Sequence, residues 1–173
     1  LGLNGHVEYP NFLTDEECDH IAHVLLRDEH KILSIPQTKE TGYTGLTAQH
    51  TVYNLLTHQD IRPLDIPKRI FDLPIFQPDK DHWYDELWIQ CWGNILHQGQ
   101  NLPPHSHAQP LQPTDKNYHI DEECHLYACS IFLDGHYPSY THWDDKGQHL
   151  NVTGTLHVAG MGQCPGARRH GGA

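Results

Sequence analysis

The chain has 173 residues, 37% of them hydrophobic, with 11 Lys and Arg against 22 Asp and Glu and a formal charge of -11 with His neutral. That length fits a single domain over residues 1–173, and the acidic balance argues against electrostatic capture by nucleic acid or an anionic membrane surface. No stretch approaches the roughly 20 apolar residues of a membrane helix, and no apolar run follows a basic start, so a cytoplasmic protein is expected.

The first element in chain order is a helix. Thr14 stands as its N-cap, Glu17 three residues later completes a capping box, and Asp15 and Glu16 suit the positive end of the helix dipole. Cys18, Ile21, Ala22, Leu25 and Leu26 follow at helical spacing, which predicts a helix over about 15–30. Residues 31–57 mix Pro36, Gly42 and Gly45 with β-favouring pieces, and 51–56 read as a strand. Residues 58–71 read as a short helix interrupted near Pro63 and Pro67, and 72–84 as a loop with Pro74 and Pro78.

Residues 87–96 predict a strand rich in β-branched and aromatic side chains. Leu87, Ile89, Cys91 and Ile95 share one face, and Trp88, Gln90, Trp92 and Asn94 the other, whose mixed character suits a ligand pocket. Gln90, Trp92 and Asn94 are therefore expected to line a cofactor site. Residues 125–133 predict a second strand stopped by Asp134-Gly135, and 141–143 and 150–158 two more. A Gly-rich tail, 160–173, closes the chain without apolar periodicity. One well-marked helix among strands and turns implies a mainly β domain with flanking helices: a helical support region at 1–86, barrel strands at 87–159, and the irregular tail.

Most of the 17 His must be surface residues, because a metal site uses two to four. His105 and His107 are the pair with chemical promise. In an extended segment residues i and i+2 point the same way, so both imidazoles can aim at one point. Two ligands on one segment plus a third from a distant strand make a facial arrangement that leaves positions open for substrate, the usual form of non-haem Fe(II) sites. Gly99 permits a turn before this segment, and Pro103 and Pro104 stiffen the approach. The five Cys are odd in number and include no Cys-x-x-Cys, so neither a disulfide framework nor a structural zinc site is expected. Cys91 and Cys129 lie in apolar runs and read as buried thiols of a reducing compartment. The acidic run Asp121-Glu122-Glu123 reads as solvated loop, Asp144-Asp145-x-Gly147 lacks the remaining ligands of a calcium loop, and Ser106 has no marked Asp partner for a hydrolase triad.

The opening run from Asn11 to Cys18, Trp92-Gly93-Asn94, Gly99-Gln100, His105-x-His107 and the 125–133 strand resemble, in this order, the prolyl-4-hydroxylase-like branch of the Fe(II)/2-oxoglutarate dioxygenases, and in particular its phage- and marine-type members with His-x-His. The resemblance implies a double-stranded β-helix (a jelly-roll or cupin-like barrel), Fe(II) and 2-oxoglutarate as cofactors, and O₂-dependent hydroxylation of a small-molecule or peptidyl substrate. His105 matches the first metal ligand, and His107 the position usually held by Asp.

Past residue 158 the pattern departs. The family has a further His after a strand and turn, then a basic residue that meets the far carboxylate of 2-oxoglutarate. Here His170, His157 and His142 are the candidates for the third ligand, with His170 taken first, and Arg168 or Arg169 for the cation. The chain is expected to be atypical or truncated at this end. Two alternatives share the barrel. One is a cupin-type metal protein, from Gly99-x5-His105-x-His107. The other is a β-barrel binding or structural module whose catalytic end has decayed.

Overall fold

The computed structural model describes residues 5–32, 49–50, 54–77, 89–100, 127–143 and 147–160. They belong to two compact units, the first drawn from Leu1–Asp19 and Ser106–Ala173, the second from His20–His105.

In the first unit β1 (His6–Tyr9), β7 (Leu156–Gly160) and β4 (Tyr127–Ile131) form an antiparallel sheet in the order β1-β7-β4. β5 (Tyr140–Trp143) and β6 (Gly147–Leu150) form a separate antiparallel pair. Val7 opposes Val158 and Tyr9 opposes Leu156, while Cys129 and Ile131 oppose the same two β7 residues from the other side. That alternation makes one sheet face apolar. The opposite face carries His6, Glu8, His157 and Ser130, with Glu8 and Ser130 flanking His157 in register. Leu156 and Val158 are fully buried, as are Leu13 and Cys18 of the same unit. Residues 150–158, expected as one strand, are divided by a turn. Gly154 adopts φ +78, its N–H donates to Phe132 O at 3.0 Å and its carbonyl accepts from Leu13 N at 3.1 Å.

Helix α1 (Asp15–Ile32) begins in the first unit and continues in the second. Its capping box is realised in both directions: Glu17 N–H donates to Thr14 Oγ1 at 3.1 Å, and Thr14 N–H to Glu17 Oε1 at 3.3 Å. The buried stripe is Cys18, Ile21, Val24, Leu25 and Asp28. Leu26, expected inside, is 57% exposed, because at 100° per residue it falls outside the arc centred between Ile21 and Asp28.

In the second unit the expected strand at 51–56 gives way, over its described part, to a 3₁₀ turn at Leu55–Thr57 capped by Asn54. The helix read over 58–71 separates into a 3₁₀ turn at Arg62–Leu64 and helix α2 (Ile66–Phe71), with Pro63 and Pro67 in first turns, where no N–H is needed. A further 3₁₀ turn, Pro74–Phe76, lies in the expected loop. β2 (Gln49–His50) pairs antiparallel with β3 (Asn94–Ile95), the one part of residues 87–96 that is strand among those described. The physical reason is competition for carbonyls. Ile89 O accepts from Asn54 Nδ2 at 2.9 Å and Cys91 O from Leu55 N at 2.8 Å, so both serve the 3₁₀ turn rather than a ladder. Ile21, Val24, Leu25, Leu55, Leu56, Ile61, Ile66, Ile70, Ile75 and Phe76 form the buried apolar residues of this unit.

The described residues are thus antiparallel sheets with few helices, a mainly β arrangement, and no closed barrel is formed among them. No helix among them is long and apolar enough to cross a membrane.

Candidate metal centre

His105, His107, Arg168 and His170 lie outside the described residues. The approach to the His-x-His segment is described and is a built turn. Gly99 takes φ +83, a backbone region that suits glycine. Gln100 N–H donates to His97 O at 2.9 Å, and His97 N–H returns to Gln100 Oε1 at 2.9 Å. The His97 imidazole lies 2.7 Å from Glu29 Oε1 and ties the turn to α1.

Of the expected pocket residues, Gln90 and Asn94 are exposed and Trp92 is half-buried. The expectation is that all three face the barrel interior near the metal; residues 89–93 are not strand, and the expected metal ligands lie outside the described residues. Cys91 is half-buried, and burial pushes its thiol up to about 11. Cys129, expected buried, is exposed on β4, an edge strand of its sheet among the described residues. His142 on β5 is exposed.

His157, a candidate third ligand, belongs to a different constellation, one that the sequence did not disclose. His6 and Glu8 lie two apart on β1 and share its polar face. Register sets His157 opposite Glu8, and His149 enters from β6. Glu8 Oε1 lies 3.2 Å from His149 Nδ1 and 3.4 Å from His157 Nδ1. The ring centroids of His6 and His149 are 4.8 Å apart, and those of His6 and His157 5.6 Å. Ligand atoms of His6, Glu8 and His149 all fall within 4.8 Å of one another.

Burial is graded across the group. His157 is 3% exposed, the His149 side chain 28% and the Glu8 side chain 42%, so the cluster has a closed floor and an open mouth. Burial holds the His157 imidazole below its ordinary range, the Glu8 carboxylate opposes that shift, and His149 adds to it. Two imidazoles and a carboxylate within this reach are a donor set for a borderline divalent transition metal. The available signal was the alternation His6-Val7-Glu8-Tyr9; what a linear reading lacks is the register that sets residue 157 opposite Glu8 and the second sheet that brings residue 149 to it.

Comparison with protein-family models, with curated proteins and with solved structures finds no match for this chain.

Proposed function

We propose that the chain is a non-haem Fe(II)/2-oxoglutarate-dependent oxygenase, built on a double-stranded β-helix, that hydroxylates a small-molecule or peptidyl substrate in a reducing, cytoplasmic setting. The observation that carries this reading is His105-x-His107 placed after Gly99-Gln100, in the order of segments that the resemblance requires. The left-handed turn at Gly99 and the antiparallel strands are compatible with it. When bound, the iron supplies activation of O₂ with 2-oxoglutarate as the electron donor. His105 and His107 would hold it. Among the three candidates for the third ligand His170 remains first, since His157 sits beside Glu8 and His142 is exposed on β5. Arg168 would meet the far carboxylate of 2-oxoglutarate as a bidentate partner. Free thiols at Cys18 and Cys91 are compatible with a reducing compartment.

The test is succinate formation from 2-oxoglutarate with Fe(II) and ascorbate, by the chain and by His105→Ala. Turnover that disappears in the variant supports the oxygenase. Tight metal binding through His105 with no succinate, under conditions where the fold is intact, favours the cupin-type alternative, and an intact fold that binds no metal favours the decayed module.

A further inference from the structure

We propose that His6, Glu8 and His149 form a divalent transition-metal site of their own, distinct in residues from His105-x-His107, with His157 positioning the Glu8 carboxylate.

The arrangement follows from the pleat of β1 and from the approach of a second sheet. β1 supplies two ligands at i and i+2, which the pleat aims the same way. β6 supplies the third from another sheet of the same unit. Ligand atoms around a tetrahedral ion at about 2.0–2.1 Å lie about 3.3 Å from one another. Glu8 Oε1 and His149 Nδ1 already stand 3.2 Å apart, and the whole triad lies within 4.8 Å. Closing on an ion therefore asks for side-chain rotation and leaves the strands where they are. His157 is buried on β7 with Nδ1 3.4 Å from Glu8 Oε1, so a small turn of the carboxylate would bring it into hydrogen-bond contact. An outer-sphere neighbour of this kind fixes ligand orientation.

The donor set selects the metal class. Two imidazole nitrogens and one carboxylate oxygen suit Fe²⁺, Co²⁺, Ni²⁺ or Zn²⁺, whereas Mg²⁺ and Ca²⁺ prefer all-oxygen shells. Three protein ligands leave at least one position for water or a small anionic ligand, and the half-exposed Glu8 gives the ion a way in. Bound metal would join β6 to the β1-β7-β4 sheet. It would thereby stabilise the first unit, because an ion that binds only the folded arrangement adds its binding free energy to folding.

The experiment is a Zn²⁺ titration by calorimetry, and a Co²⁺ titration followed by visible absorption, on the chain carrying His105→Ala and His107→Ala. That background removes the motif on which the oxygenase reading rests. One equivalent should bind, Mg²⁺ should not compete, and thermal unfolding should shift upward with Zn²⁺. Glu8→Gln and His149→Gln should each weaken binding at least tenfold with unchanged far-ultraviolet circular dichroism, and His157→Asn by roughly tenfold. As a readout independent of substitution, the His6 and His149 imidazole ¹⁵N resonances should move on titration. Absence of a bound equivalent in the double-Ala background would overturn this site and leave the oxygenase reading intact. So would unchanged affinity in both Gln variants, or ¹⁵N shifts confined to other histidines.

Discussion

Two groups of histidines and carboxylates, one around Asp28 and one around Glu8, meet the same electrostatic demand in different ways. In the second unit Asp28 is 7% exposed on the buried stripe of α1. Arg27 grips it with two bonds, Nε to Oδ1 at 3.0 Å and Nη2 to Oδ2 at 2.9 Å, and reaches Asp60 Oδ2 at 2.8 Å. The Asp60 N–H donates to His58 Nδ1 at 3.1 Å, which in the neutral ring leaves Nε2 as the protonated nitrogen facing Asp28 Oδ2 at 3.2 Å. A guanidinium is a permanent cation with a fork that matches carboxylates, so this group is complete without an ion. In the first unit the ion-pair partners recorded for Glu8 among the described residues are imidazoles, which carry charge only when protonated. A carboxylate among imidazoles can take a proton or a metal; a carboxylate on arginine needs neither. Residue type, more than residue count, separates a structural network from a candidate metal centre.

The largest effect comes from breaking the backbone that brings β7 into register under the Glu8 cluster. A Cβ at Gly154 would stand 2.4 Å from Leu13 O, a backbone atom with little room to move, and φ +78 is itself unfavourable for alanine. Gly154→Ala should destabilise the chain by about 3 kcal/mol, combining left-handed strain with overpacking. Urea denaturation reads it directly. A loss under ~1 kcal/mol would mean that the turn relaxes freely and that the β7 register owes little to Gly154.

Removing each carboxylate in turn sharpens the comparison. Asp28→Ala should cost about 2 kcal/mol: it strips a buried partner from His58, while Arg27, 45% exposed, can turn to Asp60 and water. Glu8→Ala in metal-free buffer should change stability by no more than about 0.5 kcal/mol, since its side chain is 42% exposed. The contrast should narrow or reverse with saturating Zn²⁺, where only the Glu8 variant loses a ligand. Equal costs without metal would show that the two groups do the same structural work.

How much of this was legible in the sequence depends on the range over which each feature is determined. α1 and its cap were legible because Thr14, Glu17 and the apolar spacing are local; the stripe's centre shifted to include Asp28, whose burial depends on Arg27 and His58. β4 was legible from a largely apolar run stopped by Asp134-Gly135. Residues 89–93 were misread because alternation is also satisfied by chain whose carbonyls are claimed by another element, here Asn54 and Leu55. The division at Gly154 was missed because a lone glycine in an apolar run does not reveal a positive φ. The Glu8 cluster was invisible for a different reason: strand register joins positions 6 and 8 to 157, and residue 149 reaches them from a separate sheet. The His105-x-His107 expectation falls on residues outside the described ones, so it rests on its spacing and on the resemblance.

The smallest predicted effect is also the one that separates the two groups most cleanly, because their protons move in different pH ranges. In the metal-free chain, His157 is held below its ordinary value of 6.5, first by burial, with His149 adding and Glu8 opposing. The folded state then takes up that proton less readily than the unfolded state. Above pH 6.5 both states are neutral at this position and its contribution is fully present; as pH falls below 6.5 the unfolded chain protonates first and the first unit loses stability, until the folded pKa is passed. Asp60 behaves differently. The hydrogen bond from Arg27 holds its carboxyl below the ordinary value of 3.8, so its contribution persists above 3.8 and fades as pH falls through the lower folded value. Amide exchange in EDTA, followed from pH 7.5 downward and corrected for the intrinsic pH dependence of exchange, should show β1 and β7 losing protection below pH 6.5 while α1 around Arg27 keeps its own. His157→Asn should flatten the pH dependence of the first unit and leave that of the second unchanged. Loss of protection in α1 before β7, or a His157→Asn chain with the original slope, would remove His157 as the titrating group and with it the distinction drawn between the two clusters.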